Sequence, residues 1–246
     1  MWLILSETGD SAASWLTSEL KTRNLQDVRL VVSHELGPGA RWHHRVKTGT
    51  QSIDVELLAG WLRGRDITGV VNRLSGAWGW HFPSAENSND AEYAQNEVYA
   101  FFLSWLQALP APMLGRPSPP YLAGRHYRPA EWAYLAARSN LRFENSTYYS
   151  GAPELSTPRP AHSNNSVDRR VFVIGTRAIG DAPTHVLDSC VRLAQLSMNS
   201  LLGINFRIAG GGDLFISATP TPDLRLGGSG LVDCIASYLQ SEAPAR

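Results

Sequence analysis

Seven histidines, two cysteines and one glycine-rich run are the residues of this 246-residue chain that invite a catalytic or metal-binding reading. His43 and His44, with His34 and His81, form the best histidine cluster, and imidazoles could there hold a metal or move protons near neutral pH. Adjacent histidines in extended backbone point to opposite faces, so no more than one of His43 and His44 can join a common site. Solvated or locally bonded rings are the expectation. Cys190 and Cys234 fall on the apolar faces of two expected helices, with no second Cys or His at metal-ligand spacing, and read as buried core thiols. No G-x-S-x-G elbow supports a serine nucleophile, and Gly227-Gly228-Ser229-Gly230 lacks the strand-to-helix spacing for one. That run precedes the last helix, where exposed N–H groups favour an anion, but it reads first as a helix lead-in. No metal site is expected.

Several aromatic residues lie outside helix-like patterns: Trp42, Trp78, Trp80, Tyr148 and Tyr149. Rigid aromatic anchors at loop positions are enriched in binding surfaces. Trp78, Trp80 and His81, with Trp42, are therefore the candidate recognition surface. Lys+Arg and Asp+Glu both total 22, so there is no basic excess to neutralise phosphates, and nucleic acid is not an expected partner. The only lysines are Lys21 and Lys47. Residues 2–5 lack a basic flank and are followed by Glu7 and Asp10, unlike a signal peptide, and no apolar run reaches membrane-spanning length. A cytoplasmic protein with no membrane partner is expected.

Positioning these side chains falls to an α/β alternation. Residues 2–6, 28–33 and 69–72 read as strands, and 11–23 as a helix with Ala13, Leu16 and Leu20 on one face, a three-layer pattern. Residues 37–49 read as a polar loop, and 53–63 as a short strand with one or two helical turns. Asp90 to Leu109 is the clearest helix, with Asp90 as its N-cap and Val98, Phe101, Phe102, Trp105 and Leu106 forming an apolar stripe. A proline segment follows, and Pro129 opens a helix with Trp132, Leu135 and Ala136 inward. Residues 144–168 have no periodicity and read as a long flexible loop. Beyond it come a strand at 170–175, a helix at 183–202, a hairpin of strands 204–208 and 213–217 around Gly210-Gly211-Gly212, and a closing helix at 230–240.

The order of several loose motifs is similar to that of ATP-grasp proteins, above all the ribosomal-protein and peptide-modifying carboxylate–amine ligases. The motifs are the Asn72-Arg73 strand end, the Tyr93 to Leu109 helix, Arg116-Pro117, Trp132, the strand RVFVIG, and the hairpin LLGINFRIAGGGDLFISATPTPD. The resemblance implies an α/β fold of ATP-grasp type: a small N-terminal α/β (pre-ATP-grasp-like) domain at 1–125 and a reduced α+β domain at 126–246. It also implies that Asn205, Ser217 and Thr219 occupy the positions of carboxylates that hold magnesium on ATP. Arg170 matches an arginine that contacts the acyl-phosphate.

Departures from that pattern shape the functional expectation. The gap from Phe143 to Arg169 is too short for the lid subdomain of these ligases and contains no lysine for the phosphates. Arg159, Arg169 or Arg170 could meet phosphate, but a guanidinium fork does not replace a buried ammonium. Asn205, Ser217 and Thr219 offer neutral oxygens where magnesium prefers anionic ones. Asp213, expected at a turn, and Asp223 do not fall at matching positions. The expectation is a degenerate protein without ATP or magnesium as cofactor, binding a protein or peptide partner beside an intact modifying enzyme. The alternatives are an ATP-dependent ligase with an atypical nucleotide clamp, completed across a homodimer, and a small-molecule or anion-binding module using the old nucleotide cleft.

Overall fold

The computed structural model describes residues 1–23, 25, 27–37, 40–47, 50–75, 88–119, 121–143 and 167–241. The chain divides into two units, Met1–Arg125 with Asp223–Arg246, and His126–Pro222.

In the first unit, β1 (Trp2–Ser6) leads through α1 (Ser11–Thr22) to β2 (Val28–Val32). Asp10 caps α1, its carboxylate accepting from the Ala12 and Ala13 N–H groups at 3.0 and 3.1 Å. Next come three antiparallel strands, β3 (Arg41–Lys47), β4 (Thr50–Leu57) and β5 (Gly60–Arg63), then β6 (Gly69–Arg73), α2 (Ser88–Ala108) and the two-residue β7 (Met113–Leu114). A parallel sheet forms in the order β2-β1-β6-β7. Leu3, Leu5 and Val70 on one of its faces share a core with Ile53, Val55 and Leu62 of the antiparallel sheet and with Phe102, Trp105 and Leu106 of α2. Each such side chain contributes roughly 1.5–3 kcal/mol of burial. Beneath the end of β6, Asn72 is fully buried and donates to the Gly115 and Leu122 carbonyls at 2.9 and 2.6 Å.

Residues 37–49 depart from the loop expectation. Trp42 sits in β3, its ring edge-on to Phe101, Phe102 and Trp105 at centroid distances of 4.9–5.2 Å. One large inward residue among Arg and His gave no legible alternation. The helical turns expected before Arg63 are β5, reached by a turn at Leu58, which is fully exposed. Helix α2 starts at Ser88, so Asp90 lies in its first turn and is not its cap.

The second unit begins with α3 (Pro129–Arg138) and continues with β8 (Arg169–Ile174), β9 (Arg177–Ile179), α4 (Thr184–Leu196), β10 (Leu201–Ala209) and β11 (Gly212–Thr219). The sheet order is β11-β10-β8-β9, antiparallel throughout. Helices α3 and α4 cover one face, where Trp132, Ala136, Cys190 and Leu193 meet Val171, Val173, Leu202, Ile204 and Phe206. Helix α4 ends at Leu196, earlier than its periodicity suggests, because Met198 takes a left-handed φ of 54° and Leu201 already belongs to β10. β9, three residues long, is too short to leave a periodic trace in the sequence.

The closing helix, α5 (Gly228–Ser241), belongs to the first unit, a departure from the expected grouping of 126–246 as one domain. Leu239 lies against Gly69 of β6, and Asp233 accepts from Arg23 Nε at 2.6 Å. Among the described residues no helix is long and apolar enough to cross a membrane.

Candidate functional site

Strand alternation in the second unit decides which side chains share a surface. Val171 and Val173, Ile204 and Phe206, and Ala218 point into the core beneath α3 and α4. Arg170, Asn205, Ser217 and Thr219 therefore stand on the opposite face. Register aligns them, since Asn205 pairs with Arg170 on one side and with Ser217 on the other. A bulge in β11 at Ile216 makes this arrangement possible. Phe215 and Ser217 are two residues apart and would share a face in regular strand, yet Phe215 is in the helix-side core while Ser217 faces away.

Asn205 Nδ2 donates to Ser217 Oγ at 3.0 Å. Thr219 Oγ1 accepts from the Thr221 N–H at 3.2 Å, with the Thr221 hydroxyl 3.4 Å away. Pro222 fixes the end of this segment. A Cβ added at Gly203 would come within 2.5 Å of Pro222 Cβ, so glycine at 203 is what lets Pro222 lie on β10. Neither Thr221 nor Pro222 stood out in the sequence; the T-P-T-P pattern was their only trace. Arg170 is exposed, and no carboxylate pairs with it among the described residues.

Arg169 has a different role. Its Nη1 donates to both oxygens of Asp213 at 2.5 and 2.6 Å, and the Asp213 side chain is 5% exposed. Asp213 is thus a paired residue within β11, not a turn residue. Cys190 is buried nearby, and burial first, then the Asp213 charge, pushes its thiol up to about 12. Asp223 belongs to the first unit, where its carboxyl is held below the usual range by hydrogen bonds from Arg225.

The remaining candidates separate. Trp42 is partly buried, packed against the core of the first unit and edge-on to Phe101, so it is not a fully exposed anchor. Trp78, Trp80 and His81 lie outside the described residues. His43 lies against Trp61 at a ring distance of 5.4 Å, and His34 Nδ1 is 3.2 Å from Thr8 Oγ1. Among the described residues no His, Cys, Asp or Glu cluster could hold a metal ion.

By sequence, no protein-family model and no curated protein matches the chain. By structure it is similar to a RiPP-associated ATP-grasp ligase of Chryseobacterium gregarium, solved in complex with ADP and a leader and core peptide, with a TM-score of 0.71 and 13% identity, covering 99% of this chain and 97% of that one. The chain has the ATP-grasp fold. Macrocyclase MdnC from Microcystis aeruginosa MRC, bound with precursor peptide MdnA, matches with a TM-score of 0.70 and 9% identity over 99% of this chain and 100% of that one. ATP-grasp ligase PsnB, complexed with minimal precursor, Mg and ADP, matches at 0.66 and 14% over 97% and 98%.

Within the ATP-grasp fold, the resemblance assigns magnesium to Asn205, Ser217 and Thr219, and the donor chemistry there does not fit it. A divalent hard cation needs anionic oxygens to offset its dehydration, and an amide with two hydroxyls supplies none. Internal N–H groups further engage one lone pair on each hydroxyl.

Proposed function

We propose that this ATP-grasp-fold chain does not carry out magnesium-dependent ligation and instead binds a protein or peptide, beside an intact modifying enzyme. The observation that carries the reading is the face of the second unit's sheet on which Arg170, Asn205, Ser217 and Thr219 stand, where the three positions matched to metal ligands carry an amide and two hydroxyls and no carboxylate. In phosphoryl transfer the metal bridges phosphate oxygens and neutralises developing charge. Neutral side chains at those positions remove that function while keeping the strand pairing intact. Two features of the sequence agree: no lysine follows Lys47, and the Phe143 to Arg169 segment is short. A peptide is the favoured class of partner because the similar solved ligases were captured with leader, core or precursor peptides. Calorimetric titration with ATP, with and without magnesium, tests the reading. No magnesium-dependent binding is expected, and micromolar affinity that requires the metal would refute it.

A further inference from the structure

In the first unit, alternation along β4 and β5 turns Val55 and Leu62 into the core and leaves Asp54, Trp61 and Arg63 on the outer side. Those three side chains, with Arg65 just beyond β5, border a pocket of about 730 Å³, within the ~300–1,000 Å³ range of ligand sites. Ile53, Ala108 and Pro110 supply its apolar wall. Gly64 lines it as bare backbone, since a Cβ there would come within 2.7 Å of the Ile53 carbonyl oxygen. Segments 63–65 and 108–110 lead into the starts of β6 and β7, which puts the pocket on the amino-terminal side of the parallel sheet. Open α/β sheets take their usual ligands at the carboxyl ends instead.

The charges around this pocket are unspent. Asp54 and Arg63 are direct cross-strand partners, an arrangement that favours an ion pair, yet among the described residues neither side chain is in one. Arg65 has a loose contact with Asp66 at 3.8 Å, and its side chain is 75% exposed. Trp61 is 44% exposed despite its size. An indole beside guanidinium groups is the composition of a binding hot spot. The mixture of signs narrows the ligand. A phosphate dianion brings only negative charge towards Asp54, which repels it. A peptide offers carboxylates for Arg63 and Arg65, N–H groups for Asp54 and an apolar side chain for Trp61, all on one chain. Residues 41–66 hold five Arg or Lys against three Asp or Glu, in a chain of zero net charge, so the complementary peptide is acidic.

We infer that this pocket binds an acidic peptide segment, with a carboxylate on Arg63 and Arg65 and an aromatic or aliphatic neighbour against Trp61. The inference rests on the proposed reading for the class of partner and adds the place and the charge.

Chemical-shift titration of the ¹⁵N-labelled full chain, at fixed low ionic strength in EDTA, tests it. The probes are a capped tetrapeptide alternating glutamate and phenylalanine, the same peptide with glutamine for glutamate, and inorganic phosphate. The acidic peptide should shift the Trp61 indole N–H and the amides of residues 60–65 saturably, and the glutamine peptide should bind at least about tenfold more weakly. Arg63→Ala and Trp61→Ala, both at exposed positions, should each weaken the acidic peptide roughly tenfold, with the amides of β1 and β8 unmoved as the check on folding. Arg192→Ala, exposed on α4 of the other unit, should leave binding unchanged. No saturable shift at 60–65, equal affinity for the glutamine peptide, or binding indifferent to Arg63→Ala and Trp61→Ala overturns the site. Phosphate binding as tightly as the acidic peptide overturns it as well. Each of these outcomes leaves the loss of ligation standing, whereas magnesium-dependent ATP binding would refute that loss and leave the peptide site intact.

Discussion

Arg169 and Arg170 are neighbours in the chain with different partners, and replacing each by alanine should have unequal effects on stability. Arg169 holds the Asp213 carboxylate at 2.5 and 2.6 Å, with the Asp213 side chain 5% exposed and Arg169 23% exposed. Arg169→Ala strands a carboxylate out of water, a loss of about 3–5 kcal/mol. Asp213→Ala leaves a guanidinium that still reaches solvent, so its cost should be smaller, about 1–3 kcal/mol. The double variant should cost less than the sum of the two by at least about 1 kcal/mol, since the second removal relieves the group stranded by the first. Arg170→Ala should stay within about 0.5 kcal/mol of the unmodified chain, as exposed positions do. Native-state hydrogen exchange, followed on amides of β8 and β11, reads this unit apart from the other. Additive single costs, or an Arg169→Ala loss no larger than that of Arg170→Ala, would refute the division of labour.

Burial holds the Cys190 thiol up at about 12, from an ordinary value of 9.0. It should resist alkylation at pH 8 in the native protein and react fully in denaturant. Because the folded value is the higher one, its contribution to stability is intact below pH 9.0 and declines as pH rises from there towards about 12; urea midpoints across that window check it. His126 is shifted the other way, burial lowering it from 6.5, so its contribution is present above 6.5 and declines as pH falls below it. An NMR titration of the ring should give a midpoint under 6.5. Trp42→Ala removes a ring packed edge-on against three aromatics and should destabilise the first unit by about 3 kcal/mol. Urea unfolding followed on α2 amides by hydrogen exchange checks it.

Legibility of the fold in the sequence followed hydrophobic period. β1, α1, β6 and the apolar stripe of α2 were readable because their core residues repeat at the spacing of their own element. β5 was not, since it buries only Leu62, nor was β3, where Trp42 and Val46 are the only apolar residues among Arg, His and Lys. The placement of Asn205 and Ser217 on strand positions was legible, whereas Thr219 lies beyond the expected strand end at 217, and the face these residues share with Arg170 was not legible. That face depends on the β11 bulge, a backbone irregularity that leaves no periodic trace, and on cross-strand register, which no single segment encodes. The tie between Asp213 and Arg169 was hidden for the same reason: the partners are 44 residues apart.

The two faces of the second unit's sheet answer to different constraints, which explains how its ligand chemistry could change with the fold retained. The helix-side face is a closed apolar core, where Phe206, Ile204 and Val171 are fully buried and volume changes are costly. The other face also buries Phe172, Ile174 and Leu201, but Asn205, Ser217 and Thr219 are only half-buried there, and backbone pairing is indifferent to whether position 205 carries Asn or Asp. Carboxylates crowded on adjacent strands repel one another unless a cation sits between them. On the proposed reading, in which magnesium is not held, each remaining carboxylate would be a destabilising group, and loss of one ligand would favour loss of the next. Asn205 and Ser217 relieve that repulsion and add a 3.0 Å hydrogen bond of their own.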